Sequence, residues 1–230
     1  MDIKKDYQLF AKDHKVSPLI LDQYGKHIEK SGIVKSSYIN PYIIEERQMN
    51  ITQLDVFSRL MCDRILFLGS EIDQHVGNVI VSQLLYLDSI DSEKPIEILI
   101  ASGGGSVDAG NGILSAMDYI SSPVNTTIIS MAASMAAVIA IYGNHRKIFD
   151  RARSMIHTVS GGFSGTSIDG EINLHQMLIL RENLYNTIAE KTKHSFEEIS
   201  KICERDKWFN AKESLAFCIV DEIIKPKSKK

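Results

Sequence analysis

Three apolar runs, each followed by a stretch of helical periodicity, constrain what this chain can fold into more than any other feature. Arg64-Ile65-Leu66-Phe67-Leu68-Gly69 is a continuous apolar run closed by glycine, as a buried strand reads. Ser70 stands where it can cap the helix that follows, with Asp73 in its first turn, and Val76, Ile80, Leu84 and Leu87 recur at helical spacing. The unit repeats in Ile96-Glu97-Ile98-Leu99-Ile100, the turn Gly103-Gly104-Gly105 and a helix through Ile113, Met117 and Ile120. A third unit begins with the β-branched run Val124 to Ile129 and continues as helix from Ser134, which places Ser134 at or near a helix N-terminus. Alternation of this kind predicts an α/β domain of repeated strand-helix units.

The flanks are read in the same way. Val56 to Leu60 is a short helix candidate, and Lys147 to Phe149 and Met155 to His157 are short strand candidates. Residues 171–192 form a long amphipathic helix through Ile172, Met177, Leu180, Leu184 and Ile188. Asp169 and Glu171, beside Gly170, suit the start of that helix and its dipole better than acid/base work. Ser195 with Glu198 and Asn210 with Glu213 have the spacing of capping boxes, and Ile219 to Ile224 is a candidate for a last strand.

With 230 residues and 44% hydrophobic content, the chain can bury the core of one ordinary domain. Residues 1–36 are mixed and polar and read as an N-terminal extension, 37–225 as the domain, and 226–230 as a basic, solvated tail. A net charge of -3 offers no bulk basic field, so nucleic acid is not an expected partner. No apolar h-region follows Met1, and the most apolar stretch, Ile128 to Tyr142, falls short of the roughly 20 apolar residues that span a bilayer. Cys62, Cys203 and Cys218 lack metal-ligand spacing and fit a reducing compartment, so the expectation is a cytoplasmic protein without a membrane segment. His14, His27, His75, His145, His175 and His194 are scattered without ligand pairing, and no metal is predicted.

The chemistry gathers around Ser134. It lies in Ser130-Met131-Ala132-Ala133-Ser134-Met135-Ala136-Ala137, where small neighbours let a bound carbonyl reach its oxygen and the following N–H. A lone serine in an alanine-rich stretch is also consistent with simple packing in a helix. Acyl transfer needs a nucleophile, a base, a group that orients the base, and donors for the oxyanion. Ser134 is the candidate nucleophile, His157 the general base and then acid, and Asp206 the group that holds the imidazole tautomer. The order Ser, His, Asp, with Ala132 and Ala136 where an elbow serine carries glycines, disfavours an α/β-hydrolase.

The chain resembles the proteolytic subunit of the caseinolytic (Clp) protease from about Tyr42 to Ile224. The residues that carry the likeness are Phe57-Ser58-Arg59-Leu60 with Asp63-Arg64-Ile65-Leu66-Phe67-Leu68-Gly69, then Asp108-Ala109-Gly110 after the glycine turn, and Met131 to Ala137. Arg153-Ser154-Met155-Ile156-His157 with Gly161-Gly162, Glu204-Arg205-Asp206-Lys207-Trp208-Phe209 with Ala211 and Glu213, and Val220-Asp221 continue it in order. The resemblance implies the Clp/crotonase superfold with a protruding handle helix, a Ser134, His157, Asp206 triad, and an oxyanion hole of the Gly104 and Met135 amides. It further implies a substrate-aligning strand at Gly161 and Gly162, stacked heptameric rings, a hexameric Clp-type ATPase that uses ATP and delivers unfolded polypeptide, and no cofactor in this subunit itself. Residues 1–36 become a candidate propeptide, and a paralogous subunit a candidate ring partner. The family's Ser-Pro-Gly-Gly turn is Ser102-Gly103-Gly104-Gly105 here, which removes proline's restraint on φ. Ser130 and Val159 replace a glycine and a proline, and Glu97 and Leu99 stand where the resemblance places aromatic residues that line the ATPase docking pocket. Two other readings stay open: a weakly active or non-catalytic ring subunit, and a crotonase-type acyl-CoA enzyme.

Overall fold

A computed structural model describes residues 42–47, 50–162 and 164–226, so the expectations for the 1–36 extension and most of the basic tail lie outside the described residues. Within the unit Ile43–Lys230, the strands and helices alternate as the apolar runs predict. Strands β1 (Tyr42–Arg47) and β2 (Asn50–Asp55) form a two-stranded sheet, and helix α1 (Val56–Cys62) follows, capped by the Asp55 carboxylate. The main sheet holds β3 (Ile65–Leu68), β4 (Ile96–Ser102), β5 (Val124–Ala133), β6 (Arg146–Phe149) and β9 (Glu222–Ile224) in that order, all parallel. The upper end of β5 leaves β6 and pairs instead with β7 (Arg153–Ile156), which pairs antiparallel with β8 (Lys207–Asn210).

Helices α2 (Gln74–Ile90) and α3 (Val107–Tyr119) connect these strands, and α4 (Met135–Tyr142) follows β5 directly. Ile96, Ile98, Ile100 and Ile128 from the sheet meet Ile80, Leu84, Ile113 and Ile139 from the helices, each at most 3% exposed. At about 25 cal/mol per Å² of apolar surface, each such side chain contributes roughly 1.5–3 kcal/mol, so this layer dominates the stability.

Two local expectations change. The apolar run of β3 is buried on one face only: Leu66 and Leu68 are buried, whereas Phe67 is exposed on the other face against Phe57, ring centroids 5.8 Å apart. The cap of α2 is Asp73, whose carboxylate accepts the Val76 N–H at 2.7 Å, and not Ser70. The chain between them is spent on an isolated bridge, Ile72 with Gly105, which ties Ile72 to the glycine turn before the helix begins.

Helix α5 spans Ser167–Thr192, four residues longer at its start than its periodicity suggested. Thr166 and Asp169 make a capping box, and Gly170 lies buried inside the helix. Its buried side chains, Leu184, Tyr185, Ile188 and Thr192, all lie in the C-terminal half, while Ile168, Ile172, Leu174 and Leu178 stay exposed, which makes this the protruding helix. Helices α6 (Phe196–Ile202) and α7 (Ala211–Ala216) carry the two other capping boxes at the expected positions, Ser195 with Glu198 and Asn210 with Glu213. No helix among the described residues is long and apolar enough to cross a membrane.

The far edge of the sheet is locked by Arg146. Its guanidinium donates to both carboxylate oxygens of Asp221, at 2.6 and 2.9 Å, and to the carbonyls of Lys191 and Cys218 at 3.0 and 2.9 Å. One side chain therefore ties β6 to the turn before β9 and to the end of α5. Arg146→Met is expected to cost about 1–2 kcal/mol at neutral pH, because the two carbonyls lose a donor and the partly exposed Asp221 carboxylate keeps only the main-chain N–H of residue 146. The Arg146 hydrogen bond holds the Asp221 carboxyl below its ordinary range. A group depressed in this way stabilises the fold above its unfolded pKa, and that contribution fades as pH falls through the folded value. Urea denaturation of both proteins should thus show the gap between them narrowing once pH falls below about 4.

Candidate active site

The site forms where β5 ends and α4 begins. Ser130-Met131-Ala132-Ala133 continues β5 as strand, because Met131, Ala132 and Ala133 pair with Arg153, Ser154 and Met155 of β7. Ser134 is then forced through a sharp reversal, with φ 55° and ψ -128°, a left-handed conformation that costs a side-chain-bearing residue about 1–3 kcal/mol. Its own N–H is tied to the Met155 carbonyl at 2.9 Å, and its carbonyl accepts from Ala137 and Val138, so the backbone on both sides holds the turn. A serine at this helix-cap position ordinarily bonds the first turn of the helix. Ser134 makes no such bond; its Oγ meets His157 Nε2 at 2.8 Å.

His157 directly follows β7 and Asp206 directly precedes β8, so the antiparallel pairing of those strands sets the two residues side by side. His157 Nδ1 faces Asp206 Oδ1 at 3.4 Å, longer than a strong charge-assisted hydrogen bond, and the Asp206 side chain is 64% exposed. The structure therefore brings together all three residues singled out from the sequence, with a short contact between serine and histidine and a looser one between histidine and aspartate.

Gly104 and Met135 also lie close together. Gly104 has φ +96°, and a β-carbon there would lie 2.6 Å from the Ala133 carbonyl oxygen, 2.7 Å from Ser134 Cβ and 3.0 Å from the Met135 nitrogen. Only glycine lets the turn press this closely on Ser134. Met135 opens α4, whose N-terminal amides favour negative charge at Ser134 Oγ.

Beside Ser134 lies a cleft of about 60 Å³, lined by Met135, Val138, Ile156, Val159, Leu184 and Ile188. Tyr185, Thr158 and Ser160 add hydroxyl-bearing residues to its lining, and burial raises the Tyr185 phenol above its usual pKa, so it stays a neutral hydroxyl at physiological pH. Gly161 and Gly162 lie exposed in the segment between β7 and α5, paired with no strand among the described residues. Away from the site, Glu97 accepts from the Thr127 hydroxyl and pairs with Lys147 at 2.9 Å, so the outer sheet face carries a half-buried ion pair beside Leu99.

One residue close to this chemistry escaped the sequence reading. Ser102, at the end of β4, accepts the Gly104 N–H on its hydroxyl oxygen. Its signal in the sequence is a hydroxyl ending a mostly apolar strand, immediately before three glycines.

Comparisons with known proteins agree in where they fall. The family model for Clp protease matches residues 47–227. An ATP-dependent Clp protease proteolytic subunit of Bacteroides thetaiotaomicron is 44% identical over 208 residues, covering 86% of this chain and 94% of its own length. A protein of the same description from Bacteroides fragilis strain YCH46 is 43% identical over 222 residues, covering 95% and 98% of the two chains. One from Porphyromonas gingivalis is 46% identical over 198 residues, covering 85% and 89%.

Proposed function

The chain belongs to the Clp protease family, and on that premise we propose that it is a serine endopeptidase subunit whose triad is Ser134, His157 and Asp206. The observation that carries this reading is the 2.8 Å contact between Ser134 Oγ and His157 Nε2 at a left-handed turn facing Gly104. As Ser134 Oγ attacks the scissile carbonyl carbon, its proton passes to His157 Nε2 and the carbonyl oxygen takes up negative charge. The Gly104 and Met135 N–H groups donate to that oxyanion. His157 then gives the proton to the leaving amine as the carbon–nitrogen bond breaks, leaving an acyl-enzyme on Ser134. Water, deprotonated by His157, attacks the ester and returns the serine. Asp206 favours the tautomer with the proton on Nδ1 and stabilises the imidazolium. No step calls for a cofactor in this subunit.

The apolar cleft next to Ser134 fits an apolar side chain on the acyl side of the cut bond. Gly161 and Gly162 offer unencumbered backbone for an extended peptide to pair with. Substrates in this reading are unfolded polypeptides delivered by a hexameric Clp-type ATPase, which uses the ATP, and the subunit works in stacked heptameric rings in the cytoplasm, alone or with a paralogous subunit. The relatives' description as ATP-dependent supports the ATPase, and the exposed apolar half of α5 supports assembly. Cys62, Cys203 and Cys218 are free thiols, in keeping with a reducing compartment.

A fluorophosphonate probe, followed by peptide mapping, tests the assignment: a single adduct on Ser134 is expected, and no adduct, or one on another serine, overturns it. Asp206 should matter less than the other two. Its 3.4 Å approach and exposed side chain predict that Asp206→Ala lowers kcat by roughly two orders of magnitude less than loss of the nucleophile, measured on a fluorogenic peptide.

A further inference from the structure

One buried hydroxyl beside the reaction centre has no part in the steps above. Ser102 is 1% exposed, and its O–H donates to the Ser70 carbonyl at 2.5 Å. A hydroxyl has one proton, so toward Gly104 the same oxygen acts as acceptor, and the Gly104 N–H lies 3.1 Å from it. That N–H is the one assigned above to the oxyanion. The far side of the turn is held by Ile72, whose N–H donates to the Gly104 carbonyl at 2.8 Å and whose carbonyl accepts from Ser106 at 2.7 Å. Between these anchors, Gly103, Gly104 and Gly105 have no side chains to limit their backbone freedom, and the freedom lost on ordering three glycines is large.

We propose that Ser102 is a positioning residue of the oxyanion hole: its hydroxyl, anchored on Ser70, holds the Gly104 N–H in the resting protein and shares it with the substrate oxygen as charge develops. The proposal rests on the serine-peptidase reading above. Ser102→Ala removes the acceptor but none of the cleft that binds substrate, so the loss falls on the transition state. kcat is expected to fall about tenfold to thirtyfold, less than the loss of an oxyanion donor itself, with KM within about twofold. Ser102→Thr keeps the hydroxyl and should recover most of the rate.

The test uses the assembled full-length protein, with native mass and thermal unfolding confirming that each variant is folded. Fluorophosphonate labelling of the unsubstituted protein comes first; failure to label Ser134 would remove the peptidase reading itself. With labelling established, steady-state kinetics on a fluorogenic peptide are compared with the affinity for a peptide boronate, whose tetrahedral adduct presents an oxygen to the hole. Support is a fall in kcat matched by weaker boronate binding in Ser102→Ala, with KM held and the rate restored in Ser102→Thr. Unchanged or raised kcat in Ser102→Ala, an equal change in KM, a threonine variant as slow as the alanine one, or a failure to assemble would each overturn the positioning role while leaving Ser134 as nucleophile.

Discussion

Ser134→Ala is expected to lower peptide hydrolysis by about five to six orders of magnitude, the loss typical when the nucleophile of a serine hydrolase is removed. The fold should survive, because the substitution deletes one oxygen and keeps the β-carbon in its place. Ser134 N–H still reaches the Met155 carbonyl, the Ala137 and Val138 amides still reach residue 134, and no helix cap is lost, since the hydroxyl never capped α4. His157 keeps its approach to Asp206 but has no proton to take from a nucleophile. Peptidase assays on purified protein, with native mass measured on the same sample, check both halves of this expectation. Activity within tenfold of the unsubstituted protein would place the reaction elsewhere.

Gly104→Ala should also damage catalysis, less severely and for a different reason. Its φ of +96° is strained for any residue with a β-carbon, and that carbon would stand 2.6 Å from the Ala133 carbonyl oxygen and 2.7 Å from Ser134 Cβ. Those atoms belong to a rigid strand end, so the turn must retreat, and the Gly104 N–H retreats with it. A loss of about 10²- to 10³-fold in kcat is expected, as for removal of an oxyanion donor. Fluorophosphonate labelling of Ser134 should slow as well, since the phosphoryl oxygen uses the same donors. Full-rate labelling combined with slow peptide cleavage would mean that Gly104 acts on substrate binding and not on the developing charge.

The strand-helix alternation was legible because inward strand positions such as Leu66, Ile98 and Ile128 had to be apolar, and the helices packed on them had to repeat their apolar residues at helical spacing. What escaped depended on pairing between distant segments. Nothing local in Ser130-Met131-Ala132-Ala133 favours a strand; pairing with Arg153, Ser154 and Met155 makes it one and carries Ser134 to the tip of β5. Ser70 and Asp73 were equally good caps by composition, and the Ile72 bridge to Gly105 decided for Asp73. The start of α5 at Ser167 was hidden by Gly170, a residue that usually argues against helix interior but lies buried inside the helix here. In the candidate site, Ser134, His157 and Asp206, which the structure places together, could be singled out because their residue types limit the chemistry they can perform. Ser102 was not, because its importance lies in two backbone groups that sequence leaves unspecified: the carbonyl of residue 70 and the amide of residue 104.

The left-handed backbone at Ser134 sets heat resistance against turnover at a single position. Glycine would occupy φ 55° and ψ -128° without the strain a β-carbon imposes, yet it carries no oxygen to attack with. A library of this chain enriched only for survival at high temperature should therefore drift toward a sturdier particle that no longer cuts. Any effort to harden the molecule for use has to score peptide cleavage in every round.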